Sequence, residues 1–304
     1  MPAIGVLFRP DRLPEDLPQA ARAAERDGFD ELWLVEDCFL AGGLTMAASA
    51  LAVTERIAVG VGLLPALVRN PAIVAMEIAA LARLHPGRLR VAFGHGVDRW
   101  MRQIGARPPD RLVALEEVVG AVRGLLAGDE LTLEGRHVRL DAVRLEQPPP
   151  QPPPVLIGST GPRGLAVAGR AADGVLLPEG AGPAAVRWAR EQAAGAGTLA
   201  VYTWLSVGPD GAAARAALRP QAERWAASGG YPRLTAHAGL GADGSGPLDD
   251  RALREIAVAG DPEDCARALA ALGHAGAGTV ILDPLPPDYA GQLARFAADV
   301  RPRL

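Results

Sequence analysis

The chain has 304 residues, of which 49% are apolar and 22% are charged, and its formal net charge at pH 7 is −4. This length and composition are typical of a soluble globular protein with one large core. The weak negative charge and the scattered positions of the 31 basic residues exclude nucleic acid or an anionic membrane as an expected partner.

Every basic residue is arginine, so the chain offers no Schiff-base lysine and no phosphate loop of the Walker type. The longest apolar stretch, residues 45–68, is interrupted by Glu55 and Arg56, and the amino terminus lacks the basic segment and cleavage site of a signal peptide. We therefore expect a cytoplasmic protein. Cys38 and Cys265 stand at unrelated positions, which predicts neither a disulfide framework nor a metal site.

Short apolar runs alternate with longer amphipathic segments along the chain. The segments between the runs have apolar residues at helical spacing and end in Gly or Pro. The predicted strands are residues 4–8, 32–35, 57–63, 90–93, 155–157, 174–177, 199–207 and 279–282. Eight strand-then-helix units predict a single-domain (β/α)8 TIM barrel over residues 1–304, with a doubly wound open sheet as the alternative.

Two segments interrupt this alternation. Residues 130–140 predict a hairpin that turns at Glu134 and Gly135, and a proline-rich stretch leads from it into the fifth strand. We interpret both as an insertion after the fourth helix. Residues 227–250, rich in Gly and polar side chains, precede the eighth strand and form either a lid over the barrel mouth or a surface excursion.

Glycines stand at the carboxyl ends of the third and fourth strands. Gly60 and Gly62 lie inside the third strand, where glycine indicates a bulge or a flat ligand against the backbone. The fourth strand ends in Gly94, His95 and Gly96. Because a histidine between two glycines is poorly explained by core packing, we expect His95 to contact a cofactor or substrate.

The fifth strand runs into a second polar turn, Gly158, Ser159, Thr160 and Gly161, just before a predicted helix. Free backbone N–H groups at a helix N-terminus, with hydroxyls and Arg163 beside them, predict an anion site. A structural turn would explain each of these glycine-rich segments separately. Together they fall at the carboxyl ends of strands, where a barrel builds its active site.

The second strand gives way abruptly to Glu36, Asp37 and Cys38. The two carboxylates either bond loop N–H groups or an arginine, or they serve the site, and Asp37 is the candidate for contact with cofactor or substrate. Cys38 is a candidate at the same place, interpreted as apolar filler or pocket lining more than as a nucleophile, because no His or Lys stands nearby in sequence.

Four stretches resemble one family: "AARAAERDGFDELWLVED", "TERIAVGVGLLPALVRNPAIVAMEIAAL", "GRLRVAFGHG" and "PPPVLIGSTGPRGLAVAGRAADGVLL". They are similar to the luciferase-like flavin or deazaflavin oxidoreductases, and most similar to the methylenetetrahydromethanopterin-reductase type that uses coenzyme F420. The resemblance runs from Gly5 to about Leu282. It implies a (β/α)8 barrel with insertions that is usually dimeric, so we expect a homodimer.

The resemblance also implies where a cofactor would bind. The flat ring would lie against the third strand at Gly62 and Leu63, where the F420 branch has a non-prolyl cis peptide. The phosphate would be held by the backbone of residues 158–161, with Thr160 and Arg163 close by. Residues 94–96 would line the tail or the ring edge.

The sequence departs from the family at two positions. Many F420-dependent members carry Asp-His-Phe or Asp-His-Tyr after the second strand, whereas this chain has Asp37, Cys38 and Phe39. The branch that oxidises a sugar phosphate has Glu where Val97 stands here. Oxidation of an alcohol needs a base for the hydroxyl proton, while reduction of C=C or C=N demands less.

The resemblance therefore predicts an F420-dependent oxidoreductase that transfers hydride to or from a small organic substrate, more as a reductase than as a dehydrogenase. Two alternatives remain. One is an FMN-dependent monooxygenase on the same barrel, and the other is a non-catalytic or cofactor-free relative in which loss of the usual histidine marks lost redox chemistry.

Overall fold

Eleven strands are present in the computed structural model, which describes residues 1–241 and 246–304. They are β1 Ala3–Leu7, β2 Glu31–Leu34, β3 Ala58–Pro65, β4 Leu89–Gly94, β5 Leu131–Glu134, β6 Arg139–Val143, β7 Val155–Gly158, β8 Gly174–Leu177, β9 Thr198–Val207, β10 Val258–Gly260 and β11 Thr279–Pro284. Parallel pairing runs β1–β2–β3–β4–β7–β8–β9–β11 and returns to β1, so eight strands form a closed barrel.

Closure of this sheet confirms the predicted (β/α)8 barrel, and the open-sheet alternative is wrong. The deciding contacts are the pairing of β1 with β11, at Ala3 and Thr279, and that of β8 with β9, at Gly174 and Thr198. Each of the eight predicted strands corresponds to a barrel strand. β10 was not predicted; it extends β9 outside the barrel by pairing with residues 205–207.

Twelve α-helices accompany the strands in the described ranges. They are α1 Leu17–Arg26, α2 Gly43–Ala52, α3 Pro71–Leu84, α4 Asp98–Gln103, α5 Arg111–Ala127, α6 Pro162–Ala171, α7 Pro183–Gln192, α8 Gly211–Ala227, α9 Pro232–Ala236, α10 Asp250–Ile256, α11 Pro262–His274 and α12 Tyr289–Arg295. Residues at the helix termini explain where several of these helices begin or end. Asn70 caps α3 by accepting the Ala72 N–H at 2.9 Å, and Gly128 ends α5 in a left-handed conformation.

Apolar side chains fill two layers. The outer layer lies between the strands and the surrounding helices, as expected for a parallel sheet covered on that face. The inner layer fills the barrel itself with the buried side chains of Leu7, Trp33, Ala92, Leu156, Leu176, Ala200, Tyr202 and Ile281. The barrel interior is therefore a packed core whose top layer is the floor of the mouth.

The predicted hairpin is confirmed. β5 and β6 pair antiparallel, and the carboxylate of Glu117 on α5 accepts the N–H groups of Arg136, His137 and Val138 at 2.8 to 3.0 Å. This clamp fixes the turn to the outside of the barrel.

The segment predicted as either a lid or a surface excursion, residues 227–250, lies partly outside the described residues, because its positions 242–245 are not among them. Its described part contains the short helix α9, and α10 begins at its last residue. In the described ranges, no helix has the length and apolar character needed to cross a bilayer.

Candidate active site

The carboxyl ends of β1 and β11 bring an arginine and an aspartate together at the barrel mouth. Arg9 follows β1, and its Nη1 donates to both carboxylate oxygens of Asp283 on β11, each at 2.9 Å. Asp283 is 3% exposed, and this burial raises the pKa of its carboxyl to about 6, against the opposing effect of the Arg9 charge. The pair leaves little net charge on this side of the mouth.

The glycines of β3 make room for aromatic side chains inside the barrel. A Cβ on Gly60 would collide with the indole of Trp33, and one on Gly62 would lie 2.7 Å from the hydroxyl oxygen of Tyr202. The buried Tyr202 hydroxyl donates to the Gly62 carbonyl at 2.9 Å. Trp33 therefore accounts for Gly60, and contact of this glycine with a cofactor stays a prediction.

Leu63 forms the floor of the mouth. The peptide between Gly62 and Leu63 is cis, as predicted, and the pairing of β3 with β4 shifts register between Gly62 and Leu64. Leu63 bulges out of the ladder at this point. A Cβ on Gly94 or Gly158 would collide with its side chain, so both glycines are needed to let this leucine lie flat across the ends of β4 and β7.

Glu36 joins two mouth loops. Its two carboxylate oxygens accept hydrogen bonds from the two terminal nitrogens of Arg69 at 2.6 and 2.7 Å, and one of them also accepts the Gly43 N–H at 2.8 Å. Such a bidentate pair orders the loops after β2 and β3. Of the roles considered for Glu36, the structure thus shows pairing with an arginine and with a loop N–H.

Asp37 and Cys38 follow Glu36 and are both half-buried. No described residue donates a hydrogen bond to the Asp37 carboxylate, and burial raises the pKa of this group. Burial, followed by the charges of Glu36 and Asp37, raises the pKa of the Cys38 thiol, which favours its protonated form at neutral pH. This agrees with pocket lining better than with a nucleophilic role. The Cys38–Phe39 peptide is also cis, and Phe39 is 65% exposed.

His95 lies at the mouth in the loop after β4. Its side chain is half-buried, and its pKa is lowered by burial and then by the positive charge of Arg111. The imidazole is therefore neutral at physiological pH and able both to donate and to accept a hydrogen bond. Gly96 beside it has a left-handed φ of 67°, and the Met101 sulfur packs where its Cβ would lie.

The turn after β7 presents the N-terminus of α6 to the mouth. Gly158, Ser159, Thr160 and Gly161 are all half-buried, whereas Arg163 is exposed. The Ser159 hydroxyl lies where a Cβ on Gly164 would be, and contact of Ser159 and Thr160 with a ligand stays a prediction.

Arg233 lies beside the same turn at the N-terminus of α6, but it was not predicted from the sequence. It lies on α9, and its Nη1 is 2.9 Å from the position that a Cβ on Gly161 would occupy. A guanidinium over a helix N-terminus reinforces an anion site. The available signal was that Arg233 is the single arginine of residues 227–250.

Glu179 was also missed. It follows β8 by two residues and is half-buried, and burial raises the pKa of its carboxyl to about 7. Asp283 and Asp37 add to this rise, while Arg9 opposes it. The signal in the sequence was a lone carboxylate at a strand end, in "VLLPEG". No group of three or more His, Cys, Asp or Glu among the described residues is arranged to hold a metal ion.

Comparisons with known proteins agree with this architecture. Residues 9–279 match the family model described as luciferase-like monooxygenase. An F420-dependent glucose-6-phosphate dehydrogenase of Nakamurella multipartita is 30% identical over 182 residues, which cover 56% of this chain and 54% of that protein. A 5,10-methylenetetrahydromethanopterin reductase of Methanolobus tindarius is 29% identical over 174 residues, covering 57% and 53%. The chain thus spans about half the length of the curated relatives it matches.

Solved structures share the fold over the full chain. The coenzyme F420-dependent tetrahydromethanopterin reductase of Methanopyrus kandleri superposes with a TM-score of 0.79 at 23% identity, covering 99% of both chains. The oxygenating constituent of 3,6-diketocamphane monooxygenase of Pseudomonas putida, solved with FMN, gives 0.78 at 18% identity, covering 99% and 98%. At these identities the likeness shows a common fold.

Proposed function

The chain belongs to the luciferase-like monooxygenase family, and from this premise we propose that it is a coenzyme F420-dependent oxidoreductase that reduces a C=C or C=N bond of a small organic substrate. The observation that carries the proposal is the flat apolar floor at the end of β3, where Leu63 lies beside the polar turn that begins α6. A planar ring with a phosphate-bearing tail fits such a floor and turn.

The residues of the mouth fit a deazaflavin in three respects. Gly62 and Leu63 would lie under the ring, and residues 94–96 would line its edge or tail. The N-terminus of α6, with Thr160, Arg163 and Arg233, would hold phosphate. When bound, the cofactor supplies hydride, and the chain contributes position, exclusion of water and a proton.

Reduction is favoured over alcohol oxidation by the residues at two positions. Cys38 and Val97 stand where relatives of the resembled branches carry His and Glu, so neither position supplies a base for a hydroxyl proton. Asp37 would contact the substrate, Cys38 would line its pocket, and the neutral His95 would contribute a hydrogen bond near the cofactor. The glucose-6-phosphate dehydrogenases among the similar proteins support the cofactor class but not the same substrate.

Titration of the purified protein with F420 and with FMN, followed by ring absorbance and fluorescence, tests the cofactor. We expect F420 to bind, and we expect Arg163→Ala and Arg233→Ala each to weaken this binding about tenfold, or about 1.4 kcal/mol, because each removes a charged partner of the phosphate. Arg56→Ala is the matched control, since this exposed arginine lies in the loop before β3 at the other end of the barrel.

The outcomes separate the alternatives. Unchanged affinity in both arginine variants would place the phosphate elsewhere, and binding of FMN alone would favour the monooxygenase, an alternative that the diketocamphane enzyme's fold and the family description support. Failure of both cofactors would reject both redox proposals and leave the cofactor-free relative.

We also propose a homodimer. Ile73, Met76, Ala80 and Leu84 recur along one face of α3 and are all exposed, with Ile73 at 49%, Met76 at 54% and Leu84 at 72%, while the opposite face of the helix is buried in the core. A stripe of this kind is typical of a surface covered by another chain. The mass of the protein in solution tests this proposal. A cytoplasmic location stays a prediction.

A further inference from the structure

Glu179 is a mouth carboxylate for which the proposed cofactor contacts give no role. Gly180 after it has a left-handed φ of 88° and packs against the indole of Trp225, which fixes the backbone at this point. In the described part of the chain, no arginine pairs with the Glu179 carboxylate, and its own backbone N–H is the one group that donates a hydrogen bond to it. An ionisable group that is held in place without a charged partner is available for chemistry.

The position of Glu179 two residues after β8 places it at the mouth end of the barrel. β8 and β2 lie on opposite sides of the barrel, four strands apart in either direction. Asp37, which follows β2, nevertheless interacts electrostatically with Glu179, as do Asp283 and Arg9 at the ends of β11 and β1. Because groups that follow strands on opposite walls are close enough to affect its pKa, the Glu179 carboxyl faces the mouth and not the outer surface of the barrel.

Two tyrosines complete the charged and titratable surroundings of Glu179. Tyr202 lies on β9 inside the barrel and Tyr231 lies just before α9, and the pKa of each phenol is raised by burial and then by Glu179 and Asp37. Both phenols stay protonated at neutral pH. With a pKa of about 7, Glu179 itself holds its proton in about half of the molecules at neutral pH, which suits a general acid.

We propose that Glu179 is the acid of the reduction and donates its proton to the substrate atom next to the carbon that receives hydride. This inference rests on the proposed function. The carboxyl O–H bond breaks and an N–H or C–H bond forms on the substrate, whose C=N or C=C bond becomes single as hydride adds to the other atom. Oxidation of the reduced cofactor balances the two electrons, and the carboxylate regains its proton from solvent. Glu179 thus supplies the proton in a chain that has Cys38 where relatives have histidine.

The first test reads the protonation of Glu179 in the protein without cofactor or substrate. Infrared difference spectra across a pH titration should contain the carbonyl band of a protonated carboxyl with a midpoint near pH 7, above the midpoint near 6 expected for Asp283, and Glu179→Gln should remove the component near pH 7 alone. Glu191→Gln, at an exposed position on α7, is the matched control and should keep the band. Asp37→Asn should shift the midpoint to lower pH, because it removes a negative charge that disfavours ionisation.

The second test follows turnover with reduced F420, using 2-cyclohexenone as a conjugated C=C probe and 1-pyrroline as a C=N probe. In the wild type, kcat should be constant below neutral pH and fall above it, since the acid must be protonated. Glu179→Gln should lower kcat by about a hundredfold or more and abolish this fall, with F420 affinity unchanged. Asp37→Asn should move the fall to lower pH, whatever it does to affinity for the probe.

The results of the two tests distinguish failure of the Glu179 assignment from failure of the proposed function. An infrared midpoint that Glu179→Gln leaves in place, or a Glu179→Gln enzyme that binds F420 and keeps both kcat and its pH dependence, would overturn the role of Glu179 while the proposed function stands. A wild type that binds no F420, or binds it and reduces neither probe, would reject the proposed function, and the assignment of its acid falls with it.

Discussion

At the amino-terminal end of the barrel, the buried Glu31 accepts a hydrogen bond from Trp33 Nε1 at 2.7 Å, and its other oxygen lies 3.7 Å from Arg90 Nε. At the carboxyl end, Asp37 and Glu179 have no comparable partner among the residues that the structure describes. Both ends therefore place carboxylates beside aromatic side chains. They differ in that Asp37 and Glu179 lack the kind of side-chain partner that Glu31 has.

A cavity of about 440 Å³ opens at the amino-terminal end, lined by Glu31, Trp33, Arg90 and the proline-rich residues 152–154. Its volume would suit a small ligand, but its main charged groups already lie close to each other. The mouth has a flat floor and, besides the paired Asp283 and Glu36, two carboxylates, Asp37 and Glu179, that no described arginine pairs with. Unsatisfied, titratable groups at the end where barrels place their loops mark the site better than volume does.

The largest expected effect tests whether the side chains packed at the amino-terminal end of the barrel stabilise the fold. Trp33→Ala removes a fully buried indole that fills the space left by Gly5 and Gly60, so we expect the free energy of unfolding to fall by about 3–5 kcal/mol in urea denaturation. Trp33→Phe should lose less, and Trp188→Ala, on a half-buried side chain of α7, serves as the control. A loss from Trp33→Ala no larger than that of the control would contradict the packed interior.

Much of the fold was predictable because local periodicity encodes it. The eight barrel strands, and the hairpin clamped by Glu117, follow from runs of apolar residues and from turn chemistry. β10 escaped prediction because three residues are too few for a period. The position of α9 also escaped it, because its five residues lie in a segment whose composition predicts a loop.

The site was predictable in position more than in detail. Strand ends placed Asp37, His95 and the turn after β7 at one mouth because all parallel strands of a barrel point the same way. Pairing of Glu36 with Arg69 joins residues 33 positions apart, and the approach of Arg233 to Gly161 is a tertiary contact. Neither leaves a local pattern. The same holds for Glu179, whose sequence neighbours do not reveal that it lacks a partner.

An effect of intermediate size tests the contact between the barrel core and the floor of the mouth. Tyr202→Phe deletes the hydroxyl that donates to the Gly62 carbonyl, so we expect a loss of about 1–2 kcal/mol in stability and weaker cofactor binding, since the floor at Leu63 loses its support. Tyr289→Phe is the matched control: it deletes a hydroxyl that donates to the Leu7 carbonyl, away from β3, and should cost stability alone. Equal cofactor affinity in the two variants, measured by fluorescence titration, would show that Tyr202 supports only the core.

The smallest expected effect is the change of protein stability with pH that Glu31 causes at the amino-terminal end. Burial raises the pKa of Glu31 above its unfolded value, so the folded state resists its ionisation and the wild type should lose stability relative to Glu31→Gln as pH rises from about 4 to 7. Glu25 should behave oppositely, because it accepts the N–H groups of Glu55, Arg56 and Ile57, which hold its pKa below the ordinary value.

For Glu25 the stabilisation is present above the unfolded pKa and is lost as pH falls through the lowered folded pKa, so the wild type should gain stability relative to Glu25→Gln as pH rises from about 3 to about 5 and change little above that. Urea denaturation of the two variants and the wild type between about pH 3 and 7 would give slopes of opposite sign for Glu25 and Glu31. Slopes of the same sign would mean that the Trp33 and Arg90 contacts stabilise the Glu31 carboxylate more than burial destabilises it. The contacts of Glu31 with Trp33 and Arg90 would then raise the free energy of unfolding by more than the burial of the Glu31 charge lowers it.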